Sequence, residues 1–513
     1  MKIQRDNPGI KTPRLPRICI ADLVLVLLTA IVLTSVLLAT HLVPTAYILG
    51  MVFPYLGVAV VVFSLTQNRK RRKLQAAGTV FTAVVLVVSA IAGYYITRTV
   101  NTVQSVVNAS VERSTVSFYT MQDNAVEILE EIQDADFGIL QTLDRANTDA
   151  TLQQVEAEHG LMLNTIEYGS LIQLADALQN GEVDVIVLNE AYLTLYEETP
   201  GYEDFPAQLK AISTQQVEHV VETEPEPEQS SAAPIINILI SGSDTRESTI
   251  DQRGRSDVNI IASINTETHQ ILLLSTPRDY FVPLDVGVDD AYDKLTHAGI
   301  YGMDVLMGTL ERLYGINIDY YFRINFTGFV DVIDALGGIE VYSDYDFSVG
   351  DYRYVQGMNA LNGEEALAFA RERHSFSEGD RQRGDNQMAV IEAVIQKALS
   401  PSILTGYLSI LESVEDCIDT SVPYSVLANL VREQLEDNAA WSIDSFSVNG
   451  SDARSITYSM NQQLYVMIPD EATVQEAKQK LAALGNTVVQ DETQPVSIGQ
   501  SDDSAESTLE PAA

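Results

Sequence analysis

Residues 235–246 read Ile-Ile-Asn-Ile-Leu-Ile-Ser-Gly-Ser-Asp-Thr-Arg. Six residues dominated by branched aliphatics favour a buried strand, and the Ser-Gly-Ser behind them favours a break. The chain therefore leaves a strand with Asp244 and Arg246 in the loop at its end. The arrangement recurs twice. Arg255-Ser-Asp257 stands just before the apolar run Val258–Ile264, and Ile271–Ser275 leads into Pro277-Arg-Asp279. Downstream, Met303–Tyr314, Phe326–Leu336, Glu364–Ala370 and Asp385–Leu399 carry helical periodicity. Strands mixed with amphipathic helices predict an α/β layered domain over 235–485, with a central mixed sheet.

Upstream of this domain, Glu222–Pro234 is rich in proline and like charge, the composition of an extended linker. Residues 100–221 read as a separate, small α/β accessory domain. Leu171–Gln179 predicts a helix, Gly181–Leu188 a short buried strand, and Val126–Asp134 an acidic helix. No nucleophile–base pair or metal-ligand spacing occurs there. The far end, 490–513, is acidic and Ser-rich and reads as a disordered tail.

The first hundred residues differ in kind. Ile18–Thr40, Val43–Thr66 and Leu74–Thr97 are long apolar runs, each reaching the roughly 20 residues that span a bilayer. Residues 18–97 thus predict three transmembrane helices behind a basic cytoplasmic N-terminus, 1–17. Lys2, Arg5, Lys11, Arg14 and Arg17 flank the first run, and Arg69-Lys-Arg-Arg-Lys73 separates the second from the third. The loop between the first two has neither Lys nor Arg, so both basic flanks are expected inside and the C-terminal bulk outside the cell.

Charge and cysteine count narrow the function. The formal net charge is −40, yet residues 1–100 hold 11 basic and 2 acidic side chains, leaving 101–513 at −49. So acidic a surface repels a polyphosphate backbone, which disfavours a general nucleic-acid binder. The two cysteines, Cys19 and Cys417, make neither a disulfide framework nor a zinc site. His-Glu-x-x-His, Walker A and Gly-x-Ser-x-Gly patterns are all missing.

What remains is a set of arginines and aspartates at element ends. Glu364–Ala370 runs into Arg371 and Arg373, which project to one side if the chain extends after Ala370. Gly379-Asp-Arg-Gln-Arg-Gly-Asp-Asn-Gln387 follows. Arginine forks suit phosphate oxygens, and aspartate oxygens suit magnesium. Together they point to a magnesium-bound pyrophosphate substrate. A lone Asp after a strand is also an ordinary turn or cap residue. In Met303–Tyr314 the stripe Met303, Leu306, Met307, Leu310 and Leu313 serves equally as core or as an apolar slot for a lipid.

The chain resembles the LytR-CpsA-Psr phosphotransferases of bacterial cell envelopes. The resemblance is carried by Gly242-Ser-Asp-Thr-Arg, Arg255-Ser-Asp, Pro277-Arg-Asp, Lys294, Asn325-Phe, Asp334-Ala-Leu-Gly-Gly338, Leu361-Asn-Gly-Glu, Phe369-Ala-Arg-Glu-Arg-His and Gly379-Asp-Arg-Gln-Arg with Asn386-Gln-Met. Three spans plus a separate extracellular module look like the CpsA type, associated with capsule attachment. The resemblance implies transfer of a glycopolymer, capsular polysaccharide or a related wall polymer, from a polyprenyl-pyrophosphate carrier to a peptidoglycan hydroxyl, forming a phosphodiester. It implies Mg2+ on Asp244 and Asp257, and pyrophosphate on Arg255, Arg278, Lys294, Arg371, Arg373 and Gln387. Arg278 is placed with the catalytic residues, joined by Asp279 or Asp380 as the carboxylate that orients or deprotonates the acceptor hydroxyl. Partners implied are the membrane, peptidoglycan and capsule-assembly proteins. Three other functions compete: a non-catalytic lipid-pyrophosphate scaffold, a hydrolase that frees the polymer, and a transcription regulator, the last disfavoured by the charge and topology.

Overall fold

The structure is a computed structural model. It describes residues 15–486 except 41–44, 69, 108–110, 130–134, 161, 221–234, 244–252, 377–378, 401–416 and 438. The linker 222–234, the tail 490–513, and Asp244 and Arg246 lie outside the described residues.

Three helices open the chain: α1 (Arg17–Thr40), α2 (Thr45–Thr66) and α3 (Arg72–Val107). Each contains a stretch long and apolar enough to cross a membrane, of 23, 20 and 27 residues. Their outer faces expose Leu27, Phe53, Val60 and Val88, a surface that suits lipid and not water. Polar side chains turn inward and tie the helices together. Thr79 Oγ1 donates to the buried Asp22 at 2.9 Å, and Tyr55 and Ser89 share a hydrogen bond of 2.6 Å. The α3 helix continues nine residues beyond its apolar stretch, to Val107.

That sheet is built from β1 (Val111–Met121), β2 (Asp136–Leu140), β3 (Asn164–Tyr168), β4 (Val185–Asn189) and β5 (Leu209–Val220), in the order β3-β2-β4-β1-β5. The β2 strand runs parallel to β3 and β4, and β1 is antiparallel to β4 and β5. Helices α4 (Arg145–His159), α5 (Leu171–Gln179) and α6 (Leu193–Glu197) connect the strands. Ser170 caps α5 by accepting from the Gln173 N–H. The acidic helix expected over Val126–Asp134 does not form in its described part. Residues 124–128 are irregular, because Asn124 Oδ1 accepts from Val126 N in an Asx turn and the Asn124 carbonyl accepts from Lys210 Nζ.

The second sheet takes in β6 (Ile235–Ser243), β7 (Val258–Asn265), β8 (Gln270–Ser275), β11 (Tyr320–Asn325), β12 (Ile418–Thr420) and β13 (Ser442–Ser447). Its order is β12-β11-β6-β7-β8-β13. β6 is antiparallel to β7 and parallel to β11, and β8 is antiparallel to β7 and parallel to β13. The sheet is therefore mixed; β7 and β8 are buried on both faces, which is why their sequences are near-continuous apolar runs, while β6 is half-buried over most of its length. A short ribbon of β9 (Phe281–Pro283) and β10 (Tyr292–Lys294) leads into α7 (Leu295–Tyr301) and α8 (Met303–Tyr314).

The α8 stripe is core. Met303, Leu306 and Leu310 are buried against Leu272 and Leu274 of β8 and Val474, Ala477 and Leu481 of the helix Glu471–Asn486, with Met307 and Leu313 at the margin. Beyond β11 come α9 (Phe326–Ala335), α10 (Gly363–Arg371) and α11 (Asp380–Ala398). Asn325 caps α9, and Asn362 with Glu365 forms a capping box that starts α10. The α11 helix begins at Asp380, ahead of the Asp385 expected from periodicity.

Candidate active site

The alternating direction of β6, β7 and β8 brings the end of β6, the start of β7 and the end of β8 to one edge of the sheet, where Ser243, Asp257 and Thr276–Arg278 meet. The Asp257 N–H donates to the Gly242 carbonyl at 2.8 Å, closing the loop back on β6. Arg255 sits in a segment laid flat on α7: Gly254 N donates to Gly299 O (3.3 Å) and Ser256 N to Thr296 O (3.1 Å). Only glycine at 299 permits this approach, since a Cβ there would stand 2.6 Å from the Gly254 carbonyl oxygen. The Arg278 carbonyl accepts from Thr296 N at 2.8 Å. One turn of α7 thus positions both arginines.

Their side chains converge with Lys294. Arg278 NH1 donates to Asp257 Oδ1 at 2.8 Å, and its Nε lies 3.6 Å from Asp279 Oδ2. Lys294 Nζ is 3.2 Å from Asp279 Oδ1. Thr296 Oγ1 also donates to Asp257 Oδ1, at 3.2 Å. Burial disfavours the Arg278 cation, but Asp257, Asp279 and Glu198 outweigh it and raise its pKa. Gln387 lines the same cleft as Asp257 and Arg278, together with Arg381, Arg383, Ser447 and Asn449.

The site residues read from sequence therefore divide. Arg255, Asp257, Arg278, Asp279 and Lys294 form one network, and Gln387 faces the cleft beside it. Among the described residues Arg371 and Arg373 make no ion pair with this network; they lie exposed at the end of α10, where Arg371 sits over the Phe326 ring at 4.4 Å and Arg373 Nε donates to His374 Nε2 at 3.4 Å. The chain does turn extended after Arg371, at Glu372 (ψ 132°). Asp380 opens α11.

Two features were not anticipated. Glu198, one residue beyond α6 in the first unit, reaches into the network: its Oε1 is 2.5 Å from Arg255 NH1 and 3.6 Å from Arg278 NH2, and its Oε2 is 3.2 Å from Lys294 Nζ. Behind Lys294 lies a fully buried pair, Asp293 and His297, with Nδ1 2.7 Å from Oδ1. Asp293 also accepts from the backbone N–H of Lys294 at 2.7 Å and of Ser459 at 2.7 Å. Burial pushes the Asp293 carboxyl up, but His297 and Ser459 outweigh it and hold it below its ordinary value. This pair fixes the backbone from which Lys294 projects.

A mixed α/β sheet thus gathers two largely shielded arginines and a buried lysine beside carboxylates at its strand ends, an arrangement whose chemistry suits an oxyanion. Residues 203–483 match the LytR_cpsA_psr family, and the chain belongs to it. The match starts before Ile235, within the segment that supplies β5 to the first sheet. The polyisoprenyl-teichoic acid–peptidoglycan teichoic acid transferase TagU of Halalkalibacterium halodurans is 35% identical over 244 residues, covering 47% of this chain and 76% of the relative. TagU of Enterococcus faecalis is 35% identical over 189 residues, covering 37% of this chain and 62% of its own length. The crystal structure of B. subtilis TagV, 29% identical, aligns with 50% of this chain and 99% of its own at a TM-score of 0.42.

Proposed function

We propose that this chain is a membrane-anchored transferase that moves a glycopolymer from a polyprenyl-pyrophosphate carrier to a hydroxyl of peptidoglycan, with a capsular polysaccharide or related wall polymer as its cargo. The observation that carries this reading is the convergence of Arg255, Arg278 and Lys294 at one end of the sheet, with side chains only 10%, 17% and 6% exposed. Three cations held in so small a volume serve an anion with more than one charged centre. The relatives named as teichoic acid transferases support the same class of reaction. The basic flanks of the apolar helices support an orientation with the two extramembrane units outside the cell.

In this reading the acceptor oxygen bonds to the polymer-side phosphorus, and the bond from that phosphorus to the bridging oxygen breaks. The lipid leaves as a monophosphate that keeps the bridging oxygen, the polymer becomes a phosphodiester, and the hydroxyl proton passes to a carboxylate or to solvent. Splitting the diphosphate drives the transfer, so no nucleotide is required. Arg278, with Arg255 and Lys294, holds the diphosphate and offsets charge on the leaving phosphate. Arg371 and Arg373 meet the substrate from the exposed end of α10, and Gln387 from the cleft wall. Asp279 and Asp380 are the carboxylates assigned to the acceptor hydroxyl.

Magnesium belongs to the proposal as well. Asp257 fits it: among the described residues its side-chain hydrogen bonds, from Arg278 and Thr296, both fall on Oδ1, which leaves Oδ2 as a hard donor. Among the described residues no three acidic, His or Cys side chains gather as a metal site. Magnesium asks for less, taking one or two carboxylates and completing its shell with water and phosphate. Asp257 and Asp244 would hold the ion, and bound there it would neutralise diphosphate charge.

The test is the rate of polymer transfer by the full chain in detergent. Arg278→Ala removes a contact to the leaving phosphate and should lower that rate roughly 30- to 1000-fold. A wild-type rate in this variant would refute the assignment.

A further inference from the structure

The two extramembrane units share a packed boundary. Ile300, Met460 and Leu464 of the second join the core of the first, and Tyr192 meets Tyr301 edge to face at 6.1 Å. Arg253 NH1 lies 3.3 Å from Asp144 Oδ1 across the same boundary. The α6 helix ends at this boundary and delivers Glu198 to Arg255, Arg278 and Lys294. These are the cations assigned above to the diphosphate. Its side chain is four-fifths buried, with 20% exposed, and its carboxylate makes the kind of charge-assisted contacts that a phosphate oxygen would make.

Counting the groups these ion pairs join, Arg255, Arg278 and Lys294 balance Glu198, Asp257 and Asp279. Among the described residues the network is formally neutral, so an entering anion gains its full attraction only where Glu198 withdraws. Asp257 and Asp279 come from the same sheet edge as the cations, on short loops. Glu198 alone comes from the other unit, as the residue that follows α6, so withdrawing its side chain needs no change in the sheet.

We infer that Glu198 is a residue of the substrate site, a built-in competitor that occupies the phosphate cations until a diphosphate displaces it. The inference rests on the proposed assignment of those cations to phosphate. It gives the first unit a direct part in the reaction: its carboxylate sets the affinity for the donor and, by returning, favours release of the lipid monophosphate. The strongly depressed pKa of Glu198 keeps the competitor charged at any physiological pH.

The experiment measures inorganic pyrophosphate binding by calorimetry to the full chain in detergent, in magnesium-containing buffer. The proteins are wild type, Glu198→Gln, Glu198→Asp, Arg278→Ala and the double variant Glu198→Gln with Arg278→Ala. Losing the competing charge-assisted bonds should tighten pyrophosphate binding to Glu198→Gln by roughly tenfold to a hundredfold. Glu198→Asp, whose shorter side chain pairs less well, should fall between, and it decides the matter if Glu198→Gln does not fold. The double variant should lose the gain. If binding requires Arg278 but is unchanged or weakened in both Glu198 variants, Glu198 merely holds the cations in place; the inference is then wrong and the phosphate site stands. If no protein binds pyrophosphate, the phosphate site is wrong and the inference falls with it.

Discussion

Replacing Glu198 with Gln should make the stability of the extramembrane units less sensitive to acid. Burial alone would push this carboxyl up, but Lys294, Arg255 and Arg278, and more weakly His297, outweigh it and hold the pKa at about 2, against 4.5 for a free glutamate. A group with a depressed pKa stabilises the fold above its unfolded value, and that contribution is lost as pH falls through 4.5 toward 2. At about 1.36 kcal/mol per pH unit the gap is worth about 3 kcal/mol. With 20% of the side chain exposed, solvent screening trims this figure without removing it. At pH 7, Glu198→Gln should therefore unfold more easily by about 2–3 kcal/mol, and the difference from wild type should close between pH 4.5 and 2. Trp441, the single tryptophan, donates its indole N–H to Gln434 Oε1 and reports unfolding of the second unit in a urea titration. Equal stability of the two proteins at pH 7, or a difference that persists undiminished at the acid end, would refute the ion-pair account.

Other outcomes follow from the same geometry. Replacing Arg371 and Arg373 together with Ala should leave the melting temperature within a few degrees, because exposed substitutions usually cost about 0.5 kcal/mol or less, while binding of a polyprenyl diphosphate collapses; global unfolding would make these arginines structural. Asp257→Ala and Asp244→Ala should each flatten the magnesium dependence of transfer, measured by titration, with partial retention of lipid-diphosphate binding; wild-type magnesium curves in both would remove the metal site. A reporter enzyme fused after residue 110 should be active only outside the cell, and activity in the cytoplasm would reverse the orientation.

The elements legible in the sequence were those fixed by local pattern. The runs that became β7 and β8 are apolar because both faces of the sheet are covered there, and their polar ends announce the loops that hold Asp257 and Arg278. The helix Met303–Tyr314 was visible with its boundaries, but its stripe could not be assigned until β8 and the helix Glu471–Asn486 were seen against it. Glu198 was not legible. It is one acid among 25 in residues 101–228, and its partner Arg255 lies 57 residues away, so no spacing connects them. The Asp293–His297 pair has helical spacing, yet its role depends on Ser459 and Lys294 closing around it. At the start of the acidic run from Val126, the Asx turn at Asn124 competes with helix initiation, and propensity does not register that competition.

Product identity separates transfer from hydrolysis and from binding without turnover. The full chain, supplied with a labelled lipid-diphosphate glycan, magnesium and peptidoglycan, should yield glycan joined to peptidoglycan through a phosphodiester, with one lipid monophosphate released per linkage, as read by mass spectrometry of digested wall. Glycan freed into solution with peptidoglycan unmodified, or intact donor bound without turnover, would contradict transfer.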